Sequence, residues 1–179
     1  ILSEELKPTP RSQVLNALFC DHFTNLLEPI LSTAKDAGLN SSIYPERSRI
    51  HIKIDGFSEK AILLLQEILH QLPSEAPTKE EFEILFSTFE KEYRNGKKDL
   101  AFRQASNLLQ SLLNQDRSSK EQKLAALKTI TYEDFLAFQK ALFEKTYIEA
   151  FFAGNLGLKE AESAWLDVIH VMGKELFLK

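Results

Sequence analysis

Residues 34–60 read AKDAGLNSSIYPERSRIHIKIDGFSEK, and this stretch contains the change of pattern that decides the fold. Over residues 49–55, isoleucines alternate with charged residues, which is the period-two pattern of a half-buried strand. Pro45 to Ser48 provide turn chemistry, so residues 40–44 are expected to pair with that strand as a hairpin. The stretch therefore predicts a pair of strands.

Helix boundaries flank this hairpin on both sides. Gly38 stands where a left-handed residue closes the preceding helix. Gly56 ends the strand, and Ser58 is the predicted N-cap of the following helix. The apolar residues of that helix recur at helical spacing from Ala61 to Leu72. The hairpin is thus expected to lie between two helices.

Most of the remaining chain has the helical period. A long apolar stripe predicts a helix over about residues 11–37, and Pro29 within it is expected to kink or split that helix. A last amphipathic helix is predicted from Leu158 to Met172. Three further helices are expected to begin at pairs with capping-box spacing: Thr78 with Glu81, Ser119 with Gln122, and Thr131 with Asp134.

Residues 146–153, TYIEAFFA, are rich in β-branched and aromatic residues and predict a third strand. Residues 1–6 fit either the start of a helix or the end of a strand. A sheet this small needs helices over its apolar face to be stable. The predicted fold class is therefore α/β (α+β), a two-layer, helix-rich domain with a small, mainly antiparallel sheet.

Length and composition fit one folded domain. The chain has 179 residues, of which 44% are hydrophobic and 27% are charged, so it can bury a substantial core. We expect residues 1–179 to form a single domain with an N-terminal lead-in over residues 1–10. Because position 1 is Ile and not Met, the chain is expected to be a fragment of a larger multi-domain chain.

Charge and hydropathy bear on partners and location. Lys plus Arg number 22 and Asp plus Glu number 26, and a net charge of −4 does not suit a nucleic-acid binder. No apolar run reaches the roughly 20 residues needed to span a bilayer. The sequence therefore predicts a soluble protein of the cytoplasm or periplasm that binds no nucleic acid.

Short motifs follow one another along the chain: Ala37-Gly38-Leu39, Gly56-Phe57-Ser58-Glu59-Lys60, Arg94-Asn95, and Ile148-Glu149-Ala150 with Gly154-Asn155. Their order and spacing resemble the third, or middle, domain of the insulinase/pitrilysin family of zinc metallopeptidases. The similarity covers about residues 10–172. Pro29 and Ile30 depart from the family pattern, which often has Tyr at the second of these positions.

The resemblance implies an architecture and a division of labour. Such peptidases have four similar α/β domains in two halves that close around a chamber, with a fold like that of the processing peptidases. Zinc is held in the first domain by an HxxEH motif and a distant Glu, and the third domain lacks the metal site. Residues 11–179 would then be the middle-domain core. Its partners would be the other domains of the same polypeptide and a peptide substrate.

The histidines agree with a segment that has no catalytic site. An HxxEH motif places two imidazoles four residues apart on one helix face, where both can reach the metal while the Glu activates water. The four histidines of the chain are His22, His51, His70 and His170, and no two of them are four residues apart. We therefore predict no catalytic residue, no metal ligand and no cofactor in this segment.

Cys20 and His22 are the other pair that we considered for catalysis. They are two residues apart on a predicted helix, so they point in different directions and do not form a nucleophile and its base. Cys20 is the only cysteine, so no internal disulfide can form. The simpler interpretation is a buried thiol in the core.

Arg49, His51 and Lys53 are the candidate functional residues, because they share one face of the predicted strand. The resemblance implies that the uncovered face of the sheet looks toward the chamber, where this strip could meet an acidic peptide or a polyanion. The alternative is the solvated outer face of an ordinary antiparallel strand. Residues 147, 149 and 151 extend the same face only if the odd positions of that strand point outward, which the sequence leaves open.

Three functional hypotheses follow. The leading one is a non-catalytic structural domain of a zinc metalloendopeptidase, which helps to form the chamber in which peptides are degraded. The second is a catalytically inactive family member that acts as a protein-interaction scaffold. The third is an unrelated helical adaptor, which would lack the hairpin and the strand at residues 146–153.

Overall fold

A computed structural model describes residues 1–56, 60–72, 75–96, 100–114 and 116–172. The predicted N-cap Ser58 lies outside these residues. The described helices are α1 (Pro10–Asp36), α2 (Ala61–His70), α3 (Lys79–Asn95), α4 (Ala101–Leu113), α5 (Lys120–Leu127), α6 (Tyr132–Leu142) and α7 (Leu158–Val171). The described strands are β1 (Leu2–Ser3), β2 (Leu39–Glu46), β3 (Arg49–Gly56) and β4 (Thr146–Tyr147). Across these ranges, no helix combines the length and the apolar character needed to cross a membrane.

Helix α1 lies at the centre of the core because one of its faces is apolar along most of its length. Its fully buried apolar side chains lie on one helical face: Val14, Leu18, Phe19, Phe23 and Leu27. The ring of Phe19 stacks on that of Phe23, with centroids 5.8 Å apart, and meets Phe143 edge-on at 5.7 Å. Buried residues from the hairpin and from most of the other helices join the same cluster. The predicted helix-rich α/β domain is confirmed.

The three predicted capping boxes are present. In each one the N-cap hydroxyl accepts a hydrogen bond of 3.2 Å from the backbone N–H three residues later. The side chain of that later residue accepts the N-cap N–H in return, at 2.7, 2.8 and 2.9 Å for Glu81, Gln122 and Asp134. These bonds satisfy N–H groups that the start of a helix leaves without partners, and they fix where α3, α5 and α6 begin.

Pro29 does not split α1, which runs unbroken from Pro10 to Asp36. The alternative that Pro29 divides the helix is therefore wrong. Proline removes the N–H that would bond to the carbonyl of Asn25, but both residues are exposed, so water can solvate that carbonyl. The hydroxyl of Thr33 donates to the Pro29 carbonyl at 2.9 Å, one turn later.

Strands β2 and β3 form the predicted antiparallel hairpin, in which Leu39 pairs with Gly56 and Glu46 with Arg49. Arg47 and Ser48 alone make the turn, and Arg47 has a φ of 52°. Strand β2 is eight residues long and includes Pro45, which the sequence assigned to the turn. The tight turn fixes the register, and the register decides which side chains share a face.

The third predicted strand is much shorter than expected. Only Thr146–Tyr147 form a strand, which pairs antiparallel with Leu2–Ser3. The prediction of a strand over the whole of residues 146–153 is wrong, because the residues after 147 have no neighbouring strand in the described part of the chain. The undecided residues 1–6 contain strand β1. The sheet is thus small and antiparallel, as predicted, but consists of two two-stranded ladders.

Gly56 and Gly38 meet where the hairpin leaves and enters the helical layer. Gly56 has a φ of 153° and Gly38 a φ of 83°, both in the region that favours glycine. A Cβ at Gly56 would collide with the carbonyl oxygen of Gly38, whereas a Cβ at Gly38 would meet open space. The two positions therefore share a backbone requirement but differ in the room around them.

Replacing Gly56 by Ala is expected to lower the free energy of unfolding by about 3 kcal/mol, because backbone strain and a collision with Gly38 add together. Gly38→Ala is the matched control and should cost about 1 kcal/mol, since it carries the backbone strain alone. Urea unfolding of both variants measures the difference. Equal losses would contradict the close approach of the two glycines.

Candidate substrate-facing strand

The side chains of Arg49, His51 and Lys53 lie on one side of β3, as predicted, and the isoleucines between them lie on the other. Ile50 is 1% exposed and packs in the core, and Ile52 and Ile54 pack against its edge. Arg49 and Lys53 are exposed, and His51 is half-buried. We call the side of the hairpin that carries these three residues the charged face.

Each of the three cationic or ionisable residues has an acidic neighbour on the charged face. Arg49 Nη1 lies 3.2 Å from Glu149 Oε2, and Lys53 Nζ lies 3.0 Å from Asp55 Oδ1. His51 Nε2 lies 3.1 Å from Glu46 Oε2, a contact that is an ion pair only when the ring is protonated. Arg49 and Lys53 are therefore paired with carboxylates, and the charged face is not a bare basic strip.

The pairing has a measurable effect at Asp55. A hydrogen bond from Lys53, together with the attraction of its charge, holds the pKa of the Asp55 carboxyl below its usual value of 3.8. The pair is well exposed to water, so its contribution to stability is small. Its effect is local to Lys53 and Asp55.

Strand β2 contributes two residues to the charged face that sequence reasoning missed. The ring of Tyr44 stacks on that of His51, with centroids 5.3 Å apart and an angle of 11° between the planes. Glu46 provides the carboxylate beside His51. A two-residue turn at Arg47 and Ser48 would have paired position 44 with position 51, so the register was the signal that could have found them.

Burial does not alternate regularly over residues 146–153, but one contact places Glu149 beside the charged face. Ile148 and Phe152 are half-buried, whereas Tyr147, Glu149 and Phe151 are exposed, Phe151 to 91%. The bond between Arg49 and Glu149 places the Glu149 side chain beside the charged face, whereas Ala150 is exposed as well, so burial does not assign all odd positions to one side. Tyr147 and Phe151 are exposed aromatic side chains of the β4 region.

The four histidines lie on four different elements. His22, on α1, is buried, and its Nε2 lies 3.2 Å from the carbonyl oxygen of Glu75. His51 lies on β3, His70 ends α2, and His170 lies near the end of α7. Within residues 1–56, 60–72, 75–96, 100–114 and 116–172, no group of three or more His, Cys, Asp or Glu residues could hold a metal ion.

Cys20 is a core residue, as the sequence suggested. It is 2% exposed, and its Sγ lies 3.6 Å from Asn16 Oδ1 within α1. Burial, with a smaller effect from the neighbouring Asp21, raises the pKa of the thiol to about 12. A thiol that stays protonated at neutral pH and is closed to solvent is a poor nucleophile.

Comparison with known proteins identifies the family of the chain. The family described as the middle or third domain of peptidase M16 matches residues 1–126, more than two thirds of the chain. The chain belongs to the peptidase M16 family. This match covers the hairpin, helices α1 to α4 and all of α5 except its last residue, and it agrees with the family resemblance read from the sequence.

Curated relatives of this M16 domain include two proteins from yeast and plants. The A-factor-processing enzyme of Saccharomyces cerevisiae is 27% identical over 158 residues, which are 86% of this chain and 15% of the yeast protein. Insulin-degrading enzyme-like 2 of Arabidopsis thaliana is 26% identical over 155 residues, which are 87% of this chain and 16% of the plant protein. The chain thus spans about one sixth of the length of these relatives.

The fold of this M16 domain also matches a solved structure. The crystal structure of pitrilysin aligns with a TM-score of 0.80 and 20% identity, over 98% of this chain and 19% of the pitrilysin chain. The similarity extends beyond residue 126 and includes α6, β4 and α7. The whole described part of the chain therefore has a pitrilysin-like fold.

The bond between Arg49 and Glu149 can be measured with a double-mutant cycle. Arg49→Ala and Glu149→Ala, alone and together, should give a coupling free energy of about 0.5 kcal/mol, because both side chains are half exposed. The coupling should decrease in about 1 M salt. Lys53→Ala with Glu149→Ala is the control and should show no coupling, since Lys53 pairs with Asp55. A coupling no larger than that of the control pair would show that Arg49 and Glu149 do not stabilise each other in solution.

Proposed function

We propose that this M16 domain is a non-catalytic structural domain of a zinc metalloendopeptidase, and that it forms part of the wall of the chamber in which peptides are degraded. The observation that carries the proposal is the match of residues 1–126 to the middle or third domain of the family. The zinc is proposed to lie in the first domain of the parent protein, on an HxxEH motif and a distant Glu. This domain would then support the reaction without taking part in its chemistry.

The charged face is the surface that we propose to meet the peptide, through Arg49, His51 and Lys53. Its paired charges and exposed rings support contact with many peptides, since aromatic faces and neutralised ion pairs select no single sequence. Because the cations are already paired, the face suits a mixed peptide better than a polyanion. A weak and tolerant surface of this kind fits the wall of a degradation chamber.

Helix α4 supports the proposal that the other domains of the same polypeptide are the partners. It is strongly amphipathic, yet none of its residues is buried. The large apolar side chains that it exposes are Phe102, Leu108, Leu109, Leu112 and Leu113. An apolar helix face of this size in water favours contact with another protein surface.

The first test is zinc binding and peptidase activity of residues 1–179. The chain is expected to bind no stoichiometric zinc and to cleave no peptide, because a catalytic zinc needs three protein ligands. Metal content and cleavage of a fluorogenic peptide, each with and without a chelator, check this. Chelator-sensitive cleavage by residues 1–179 would overturn the proposal. A parent sequence without an HxxEH motif would favour the inactive scaffold.

A second test concerns α4. The double variant Leu108→Glu with Leu112→Glu should change the unfolding free energy of residues 1–179 by less than about 0.5 kcal/mol, because both side chains are exposed. In the parent protein the same change should reduce peptidase activity roughly tenfold, since it places carboxylates in an apolar domain interface. Asn107→Glu, on the polar side of α4, is the control. Unchanged activity of the double variant would remove α4 from the interface.

A further inference from the structure

Three cationic side chains gather where the linker after α4 leads into α5. Arg117 lies in the linker, and Lys120 and Lys123 lie one turn apart on α5, so they share one side of that helix. The charges of Arg117 and Lys120 both act on Lys123. We call these three residues the basic cluster.

Arg117 is held in the basic cluster by neutral partners. Its Nη1 donates to Gln110 Oε1 and its Nη2 donates to Asn107 Oδ1, each at 3.4 Å. Both amides belong to α4, and neither carries a charge. Among the described residues, no carboxylate forms an ion pair with Arg117, which is exposed to solvent. Its positive charge is therefore available to an anion from solution.

Lys120 reaches the basic cluster across the end of α3. Its side chain lies so close to Gly96, the residue that follows α3, that a Cβ at Gly96 would collide with Lys120 Cδ. Helices α3 and α5 pack against each other, and this packing brings Glu92 of α3 near Lys123. The basic cluster thus lies where α3, α5 and the linker meet.

Lys123 is half-buried, and within the described part of the chain it forms no ion pair with a carboxylate. Burial lowers the pKa of its ammonium group below the usual value of 10.5, and the charge of Arg117 adds to this effect. Glu92 acts in the opposite direction, but more weakly than Arg117. At neutral pH, a larger fraction of Lys123 is therefore unprotonated, and hence nucleophilic, than of an exposed lysine.

We propose that Lys123 is an acylation site, at which a small acyl phosphate transfers its acyl group to Nζ under the guidance of Arg117 and Lys120. The two cations attract the phosphate group of the donor, and Lys123 provides the nucleophile. Both parts of the site come from this domain alone. The proposal does not depend on where the zinc lies or on which surface meets the peptide.

The transfer needs no further reactant. The lone pair of the unprotonated Lys123 Nζ attacks the carbonyl carbon, and a C–N bond forms while the bond from that carbon to the phosphate oxygen breaks. The phosphate leaves with the electron pair of the broken bond and takes up the proton that the nitrogen loses. The products are a neutral amide and hydrogen phosphate, and nothing is oxidised or reduced.

The amide product also suits its surroundings better than the ammonium group does. It removes the repulsion from Arg117 and Lys120 and the cost of keeping a charge half-buried. Lys53 and Lys145 lack this combination, because both are exposed and pair with Asp55 and Glu4. We therefore expect acylation to favour Lys123 over these two lysines.

Acylation of the intact parent protein by acetyl phosphate, mapped residue by residue by mass spectrometry, tests the site. Lys145 is the internal control, and Lys123 should react at least about fivefold faster. Arg117→Ala should slow the reaction at Lys123 about threefold more with acetyl phosphate than with the uncharged N-hydroxysuccinimide ester of acetic acid, because only the phosphate is attracted. Lys53→Ala is the control variant and should leave the rate at Lys123 unchanged.

Two results would overturn the proposal. Equal rates at Lys123 and Lys145 would show that burial and the neighbouring cations do not activate the amine. An equal effect of Arg117→Ala with both donors would show that Arg117 does not guide the phosphate group. Both results leave the zinc and peptidase test of the proposed function untouched, so the two failures can be distinguished.

Discussion

Packing against one face of α1 is the interaction on which the other layers depend. The face is apolar over more than three turns, and it is covered by the hairpin on one side and by α3, α5 and α6 on others. Burying a side chain such as Phe19 or Phe23 contributes roughly 1.5–3 kcal/mol. The hairpin alone could not supply a comparable term, since an isolated pair of strands is marginally stable in water. The position of the charged face is therefore fixed by the opposite side of β3, whose isoleucine side chains pack against the core.

This dependence explains why the two faces of β3 have such different chemistry. Ile50 is fixed in the core, so its neighbours Arg49 and His51 must point to the other side of the strand. The acidic partner of Arg49, Glu149, comes from the β4 region, and the carboxylate beside His51, that of Glu46, comes from β2. The charged face is thus assembled by the register of the sheet, and the side chains themselves make only weak, water-exposed contacts.

Features that depend on a few consecutive residues were predictable. The hairpin, the three capping boxes and the closing residue Gly38 each follow from local rules, and the structure confirms them. The continuity of α1 through Pro29 was harder to foresee, because it depends on which side of the helix faces solvent. The acidic partners of Arg49 and His51 were not predictable without the register. The same is true of residues 146–153, where strand propensity is high but a ladder also needs a neighbour.

Helix α4 also shows what the sequence pattern cannot predict. Its alternation of apolar and polar residues resembles that of α3, whose Phe82 and Leu85 are buried, yet the apolar side of α4 is exposed. Periodicity identifies an apolar face but says nothing about what covers it. That information lies in surfaces that are brought together only by the tertiary fold or by another domain.

The buried Cys20 has a consequence for the conditions that this domain can tolerate. Since it is the only cysteine and has no access to solvent, no thiol–disulfide chemistry touches the native fold. The domain should therefore have the same stability in oxidising and in reducing surroundings. Only unfolding exposes the sulfur, and from then on oxidation or intermolecular crosslinking would make refolding irreversible. The redox state of the compartment would thus affect whether unfolded molecules can refold, and it would not affect folded molecules.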